Sequence, residues 1–213
     1  MATKIHVLIA DDHAIVRQGL KQILSETDDL VVAGEADDGA DALQLARQQQ
    51  WDVFLLDVTM PNRNGIDTLK QLKKEFPRLP VLMLSMHPEE QYAVRAIKAG
   101  ASGYLTKQSA PELLVTAIRQ VAQGKKYLSP TVAMQLADAI ASDSEKPLHE
   151  LLTDREFEVF RLIAVGRPLT QIADELNLAV ATISTFRARI IEKTGLRSNA
   201  EMIRYGLEHG LVE

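Results

Sequence analysis

The sequence predicts an α/β domain built on a doubly wound, five-stranded parallel sheet, followed by a small all-α domain of four helices. Three observations carry this. Short continuous apolar runs alternate with amphipathic segments over residues 1 to about 125. A polar stretch, Ser142-Asp143-Ser144-Glu145-Lys146-Pro147, then breaks the pattern and ends in proline. Beyond it no strand-like run appears.

The first apolar run is Ile5-His6-Val7-Leu8-Ile9-Ala10, and the second is Leu30-Val31-Val32-Ala33-Gly34. Val53-Phe54-Leu55-Leu56, Val81-Leu82-Met83-Leu84 and the short Gly103-Tyr104-Leu105 complete the set. Between them apolar residues recur at helical spacing, as in Ile15, Val16, Leu20, Ile23, Leu24 and in Leu113, Leu114, Ala117, Ile118, Val121. Strands without apolar–polar alternation are buried on both faces, which a parallel sheet covered by helices explains. Right-handed crossovers then favour a doubly wound order, with sites at the carboxyl ends of the strands.

Residues 126–147 read as a partly helical linker, with Ser129-Pro130 starting a helix that Val132 to Ala141 continue. The second domain is placed at 148–213. Thr153 and Glu156 have capping-box spacing at the start of its first helix, which Gly166 ends. Ile172, Ala173 and Leu176 mark a short second helix, Asn177-Leu178-Ala179 a tight connection, and Ile183, Phe186, Ile190 and Ile191 a third helix. Gly195 interrupts, and Ala200 to Glu208 form the fourth.

Composition narrows the function classes. With 46 % apolar and 25 % charged residues the chain is ordinary for a globular protein. It has no cysteine, which excludes disulfides, thiolate catalysis and Cys-ligated zinc. No apolar run approaches the roughly 18–20 residues of a membrane span. Met1-Ala2-Thr3-Lys4 leads straight into strand-like residues without signal-peptide features, so a cytoplasmic location and no membrane partner are expected. The net charge of −5 does not advertise nucleic-acid binding, so charge has to be judged by location.

One constellation stands out. Asp11 and Asp12 follow the first strand, Asp57 the third, Ser85 the fourth and Lys107 the fifth. In a doubly wound sheet these positions share one edge. A single Asp after a strand is ordinarily a turn residue or helix cap, and a single Lys there is ordinarily solvated. Five such groups around one edge demand another account. Converging carboxylates repel, and a divalent cation such as Mg²⁺ relieves that while accepting phosphate oxygens. Asp57 would be the nucleophile forming an acyl phosphate, with Lys107 offsetting charge and Ser85 bonding the new phosphoryl oxygen. By contrast, Asp37 and Asp38 follow the second strand and read as a solvated turn.

Leu8-Ile9-Ala10-Asp11-Asp12-His13, Leu56-Asp57-Val58-Thr59-Met60-Pro61, Gly65 and Ala99-Gly100-Ala101-Ser102-Gly103-Tyr104-Leu105-Thr106-Lys107 resemble a response-regulator receiver domain. The resemblance implies a flavodoxin-like fold and phosphorylation by a histidine kinase. It implies Mg²⁺ ligation by Asp12, Asp57 and the backbone carbonyl of Thr59, with Asp11 acting mostly through water. It also implies a switch in which Ser85 moves toward the phosphoryl group and Tyr104 rotates inward. The change is expected around Ser85, Tyr104 and the helix at residues 88–99. A homodimer of the phosphorylated chain would form on that surface or on the helix at 111–123.

Helix, short helix, tight turn, helix is the order of a helix-turn-helix, whose second helix lies in the major groove. The candidate contacts to double-stranded DNA are Thr182, Ser184, Thr185, Arg187, Ala188, Arg189 and Lys193. Hydroxyls and arginines suit phosphate oxygens and base edges. Residues 148–213 carry 8 Lys+Arg against 10 Asp+Glu, with the positives concentrated at Arg187, Arg189, Lys193 and Arg197. Leu152-Thr153-Asp154-Arg155-Glu156, Ile172-Ala173-Asp174-Glu175-Leu176, Thr182-Ile183-Ser184-Thr185 and Glu192-Lys193-Thr194-Gly195-Leu196-Arg197-Ser198 resemble the LuxR-type DNA-binding domain. Together the domains resemble a NarL/FixJ-type response regulator, which implies dimeric, sequence-specific DNA binding and transcriptional control rather than enzymatic turnover. The sequence departs from that pattern at Phe186, Ala181, Leu169 and Thr170. It departs also at Ala179, where loss of a capping hydroxyl costs a helix about 0.5–2 kcal/mol. These departures and the weak basic footprint motivate an alternative, a phosphorylation-controlled signalling adaptor with weakened or lost DNA binding. A Mg²⁺-dependent phosphohydrolase using Asp57 is a further alternative, but the sequence carries no substrate-pocket signature or partner acid for it.

Overall fold

The computed structural model describes residues 4–60, 64–141 and 147–212, apart from the side chains of residues 90 and 138–141. Pro61 of the Leu56–Pro61 motif and residues 142–146 of the expected linker lie outside the described residues. The chain divides into two compact units, one running to Leu136 and the other starting at Ala137.

In the first unit strands and helices alternate strictly: β1 Ile5–Ala10, α1 Ala14–Ser25, β2 Leu30–Ala36, α2 Gly39–Gln48 and β3 Val53–Asp57. They continue as α3 Gly65–Glu75, β4 Val81–Ser85, α4 Glu89–Lys98, β5 Gly103–Thr106 and α5 Pro111–Ala122. All pairings are parallel, in the order β2-β1-β3-β4-β5. Successive strand residues point to opposite faces, so each strand feeds two cores. Val7, Ile9, Val53, Leu55, Leu82 and Leu84 pack with Leu24 of α1 and Leu114, Ile118 and Val121 of α5. Leu8, Phe54, Leu56 and Met83 fall on the other face and are fully buried, as are Ile66, Leu69 and Leu72 of α3.

The register sets the functional edge. Ala10 pairs with Leu56, Asp57 with Leu84, and Ser85 with Thr106. Asp11 therefore emerges beside Asp57, and Lys107 beside Ser85. The order of the strands reverses between β1 and β3, which is where doubly wound sheets open a crevice.

Three details differ from expectation. β2 runs on to Ala36, because Glu35 and Ala36 pair with Ile9 and Ala10. Asp57 and Ser85 are the last residues of their strands rather than the first after them. Asp38 is not merely a turn residue: its carboxylate caps α2, accepting from the N–H groups of Ala40 at 2.7 Å and Asp41 at 2.8 Å.

Past α5 the chain stays attached to the sheet for a few residues. Tyr127 N donates to Ser102 O at 2.8 Å, and Lys126 Nζ donates to Ala101 O at 2.5 Å. Ser129 Oγ bonds Glu89 and caps α6, Pro130–Ala141, accepting from Val132 N at 3.2 Å.

The second unit contains a 3-10 turn at Leu148–Leu151, then α7 Asp154–Ala164, α8 Leu169–Glu175, α9 Val180–Thr194 and α10 Asn199–Glu208. No strand occurs in it among the described residues. The capping box is complete at α7: Thr153 Oγ1 accepts from Glu156 N, and Glu156 Oε2 accepts from Thr153 N at 2.8 Å. Phe157, Phe160, Ile163, Ile172, Ile183, Ile190 and Met202 form the buried interior. Asn177, with φ of 51°, makes the left-handed turn between α8 and α9. Gly195, with φ of 73°, ends α9 by donating its N–H to Ile191 O at 2.8 Å. Among the described residues no helix is long and apolar enough to cross a membrane.

Candidate functional site: an acidic pocket and an exposed helix

The sheet edge gathers Asp11, Asp12, Asp57 and Lys107. Asp57 and Asp11 are 2 % and 1 % exposed. Lys107 Nζ lies 2.7 Å from Asp57 Oδ2, donating to it, and 2.7 Å from Asp11 Oδ2. Burial, with the Asp11 charge adding to it, outweighs the opposing pull of Lys107 and holds the Asp57 carboxyl up at about 7. Burial alone would lower the Lys107 ammonium, but Asp57 and Asp11 outweigh it and hold it above the ordinary lysine value.

One lysine does not satisfy this cluster. Asp11 Oδ2 and Asp12 Oδ1 are buried and accept no aligned hydrogen bond; Lys107 Nζ faces the first and His13 Nδ1 the second. One ligand atom from each of Asp11, Asp12, His13 and Asp57 falls within 4.8 Å of all the others. Clustered carboxylate oxygens with unused acceptor capacity are a donor set that fits a hard divalent cation.

Thr59 follows two residues after Asp57, its N–H 3.4 Å from Asp57 Oδ1, at the long limit of a hydrogen bond. Ser85 and Tyr104 converge on a different group. Ser85 Oγ accepts from His87 N at 3.0 Å, and the Tyr104 hydroxyl donates to His87 O at 3.0 Å. The Tyr104 ring, 2 % exposed, is already inside in this structure. Sequence reasoning passed over Asn64, which is buried and caps α3 by accepting from Ile66 N at 2.8 Å. Its signal was present, an Asn immediately before Gly65 at a helix start. His13 also joins the acidic pair, its Nδ1 3.3 Å from Asp11 Oδ1 and 2.8 Å from Asp12 Oδ1.

The second set of candidates lies along α9. Ser184, Thr185, Ala188, Arg189 and Lys193 are exposed and Thr182 and Arg187 partly so. Three of the polar ones already have internal partners. Arg187 Nε donates to Asn199 Oδ1 at 3.0 Å, and Thr185 Oγ1 donates to Ala181 O at 3.0 Å. Lys193 Nζ reaches Glu156 Oε2 at 2.6 Å, so it braces the capping box of α7. Burial alone would raise the Glu156 carboxyl, but the bonds from Lys193 and Thr153 hold it below the ordinary carboxylate range. At the start of α9, Ala179 provides no side-chain cap.

Comparison with known proteins places both halves. Residues 7–119 match the response regulator receiver domain, and residues 150–206 match bacterial regulatory proteins of the luxR family. The response regulator GacA of Pseudomonas aeruginosa is 37 % identical over 210 residues, covering 98 % of each chain. The response regulator UvrY of Escherichia coli is 32 % identical over 208 residues, covering 97 % of this chain and 95 % of that one. RcsB from Salmonella enterica serovar Typhimurium, in a structure bound to promoter rprA with the phosphomimetic BeF3−, superposes with a TM-score of 0.63. It is 27 % identical, over 95 % of this chain and 98 % of that one. The chain therefore belongs to the response regulators in which a receiver domain precedes a luxR-family regulatory domain.

Proposed function

We propose that a histidine kinase phosphorylates this transcription regulator on Asp57, and that the phosphorylated dimer binds specific double-stranded DNA through α9. The observation that carries the first half is the pocket itself: a buried acceptor carboxylate within 2.7 Å of a buried lysine, beside two further carboxylates. An Asp57 carboxylate oxygen attacks the phosphorus of the donor. A new O–P bond forms, the donor's N–P bond breaks, and an acyl phosphate results. Lys107 would exchange its bond to Asp57 for one to a phosphoryl oxygen, offsetting charge where it develops. Ser85, at the end of β4, would move to donate its hydroxyl to another phosphoryl oxygen, and that movement would release His87 N. Tyr104, bonded to the carbonyl of the same residue, links that release to the start of α4. Asp11, Asp12, Asp57 and the Thr59 carbonyl would hold Mg²⁺, which when bound neutralises the carboxylates and the transferring group.

The second half rests on α9, which follows the left-handed turn at Asn177 as the second helix of a helix-turn-helix and keeps Ser184, Ala188 and Arg189 exposed. Dimerisation would raise affinity for paired half-sites through effective concentration. The domains we assign are 1–125 for the receiver, 126–147 for the linker and 148–213 for the DNA reader. The chain would work in the cytoplasm, as a stoichiometric phosphoacceptor rather than a hydrolase.

The test is selection of bound sequences from a random DNA pool by the full chain, with and without acetyl phosphate. Enrichment of a two-half-site sequence, strengthened by the phosphodonor, is expected. No enriched sequence at low salt would overturn the DNA reading in favour of a protein-binding adaptor.

A further inference from the structure

The contacts of Asp11 can be accounted for atom by atom. Its N–H donates to Ala36 O at 3.2 Å. Its Oδ1 accepts from His13 N at 2.9 Å and lies 3.3 Å from His13 Nδ1. Its Oδ2 faces Lys107 and carries no aligned hydrogen bond. Its carbonyl oxygen accepts from Arg17 Nη1 at 2.5 Å, and Arg17 reaches it from the first turn of α1. The guanidinium is mostly covered, with 18 % of the side chain exposed, and its Nε lies 3.6 Å from Glu35 Oε2 on β2. Lys21 Nζ contacts the other Glu35 oxygen at 2.9 Å. A carboxylate thus lies behind the planar fork of Arg17 at ion-pair range while its front N–H holds one carbonyl.

That carbonyl belongs to the peptide joining Asp11 to Asp12. Peptide planarity means that fixing its oxygen fixes the plane from which the Asp12 side chain departs. The Asp12 side chain then departs from a fixed plane, while His13 N and Lys107 hold the Asp11 carboxylate. We infer that Arg17 is a positioning residue for the cation pocket: through the Asp11 carbonyl it presets the Asp11–Asp12 pair to receive a hard divalent cation. This inference rests on the reading of the pocket given above. The Arg17 charge also repels the cation, and Glu35, which is shared with Lys21, offsets that repulsion only in part.

Partners that orient metal ligands typically contribute about 10–100-fold to metal affinity. Titration calorimetry of Mg²⁺ into the full chain tests the idea, with wild type, Arg17→Met and Arg17→Lys compared and folding checked by circular dichroism. Arg17→Met is expected to weaken binding about tenfold, the low end of that range, and Arg17→Lys less, because an ammonium restores one bond to the carbonyl. In labelling by acetyl phosphate, the half-saturating Mg²⁺ concentration should rise in the same proportion while the rate at saturating Mg²⁺ is kept. A loss that is merely structural would lower that plateau. Arg17→Met that folds and binds Mg²⁺ as tightly as wild type, or more tightly, overturns the inference. Should Arg17→Met not fold, Arg17→Lys decides alone, and unchanged affinity there overturns it. A wild-type chain that binds no Mg²⁺ removes the pocket reading, and this inference with it.

Discussion

The acidic pocket and helix α9 hold the two halves of the proposed activity, and they are built in opposite ways. In the pocket, Asp11, Asp57 and Ser85 are almost wholly buried at the ends of paired strands. Each is fixed by sheet register and by a partner within hydrogen-bond range. On α9 the candidate contacts stand on an exposed helix, and several serve the fold as well: Lys193 braces α7, and Arg187 holds the first residue of α10. Buried charges are costly and persist only where they are paired or functional. Exposed charges cost little, so their presence alone identifies no role. The pocket can therefore be read from a few residues, whereas α9 has to be read through its whole surface.

Substitutions can break or sharpen that contrast. The largest expected effect is in the pocket: Asp57→Asn should abolish labelling by acetyl phosphate, followed by phosphate-affinity electrophoresis. Persistent labelling elsewhere would mean that the acceptor is another carboxylate. Next comes Gly65→Ala, where an added Cβ would lie 1.9 Å from the Asp57 carbonyl oxygen, so backbone must shift. It should destabilise the first unit by roughly 1–3 kcal/mol, read by urea unfolding, and slow labelling although no reacting group is removed.

On α9 the effects should be smaller. Arg187→Ala should weaken DNA binding about tenfold at every sequence and reduce the salt slope by about one, measured by anisotropy across a salt series. An effect confined to one base pair would assign Arg187 to base recognition instead. Lys193→Ala should destabilise the second unit by about 1 kcal/mol, since the lysine is a third exposed and the bond is partly screened. Its sign with pH follows from the lowered Glu156 carboxyl. The contribution is fully present above about 4.5, the ordinary value, and is lost as pH falls through the lower folded value. Thermal unfolding of both proteins over that range should show the gap closing toward acid. Smallest is a gain: Ala179→Ser restores a capping hydroxyl to α9 and should add about 0.5–1 kcal/mol, seen as a higher Tm of the second unit.

The sequence made the sheet readable because each strand is an uninterrupted apolar run, and it made the pocket readable because polar residues end those runs. It left the strand ends one residue short at Asp57 and Ser85. Ladder pairing there, Asp57 with Leu84 and Ser85 with Thr106, is decided by backbone and is indifferent to side-chain polarity. At Asp38 turn and helix cap share the same residue type, and only the N–H groups of Ala40 and Asp41 tell them apart. The bond between Lys193 and Glu156 spans 37 residues and has no local signature. Nor does the reach of Tyr104 to the His87 carbonyl, which depends on how β5 lies against the segment after β4.

Gly65 contributes no functional group, yet its backbone lies so close to Asp57 that no side chain fits between them. An alanine scan scored by phosphorylation alone would therefore flag it, below the acceptor, and invite a chemical role for a residue that has none. Its requirement is vacancy: the position is specified by what must be missing, so every one of the other side chains is excluded for the same reason, whatever its charge or polarity.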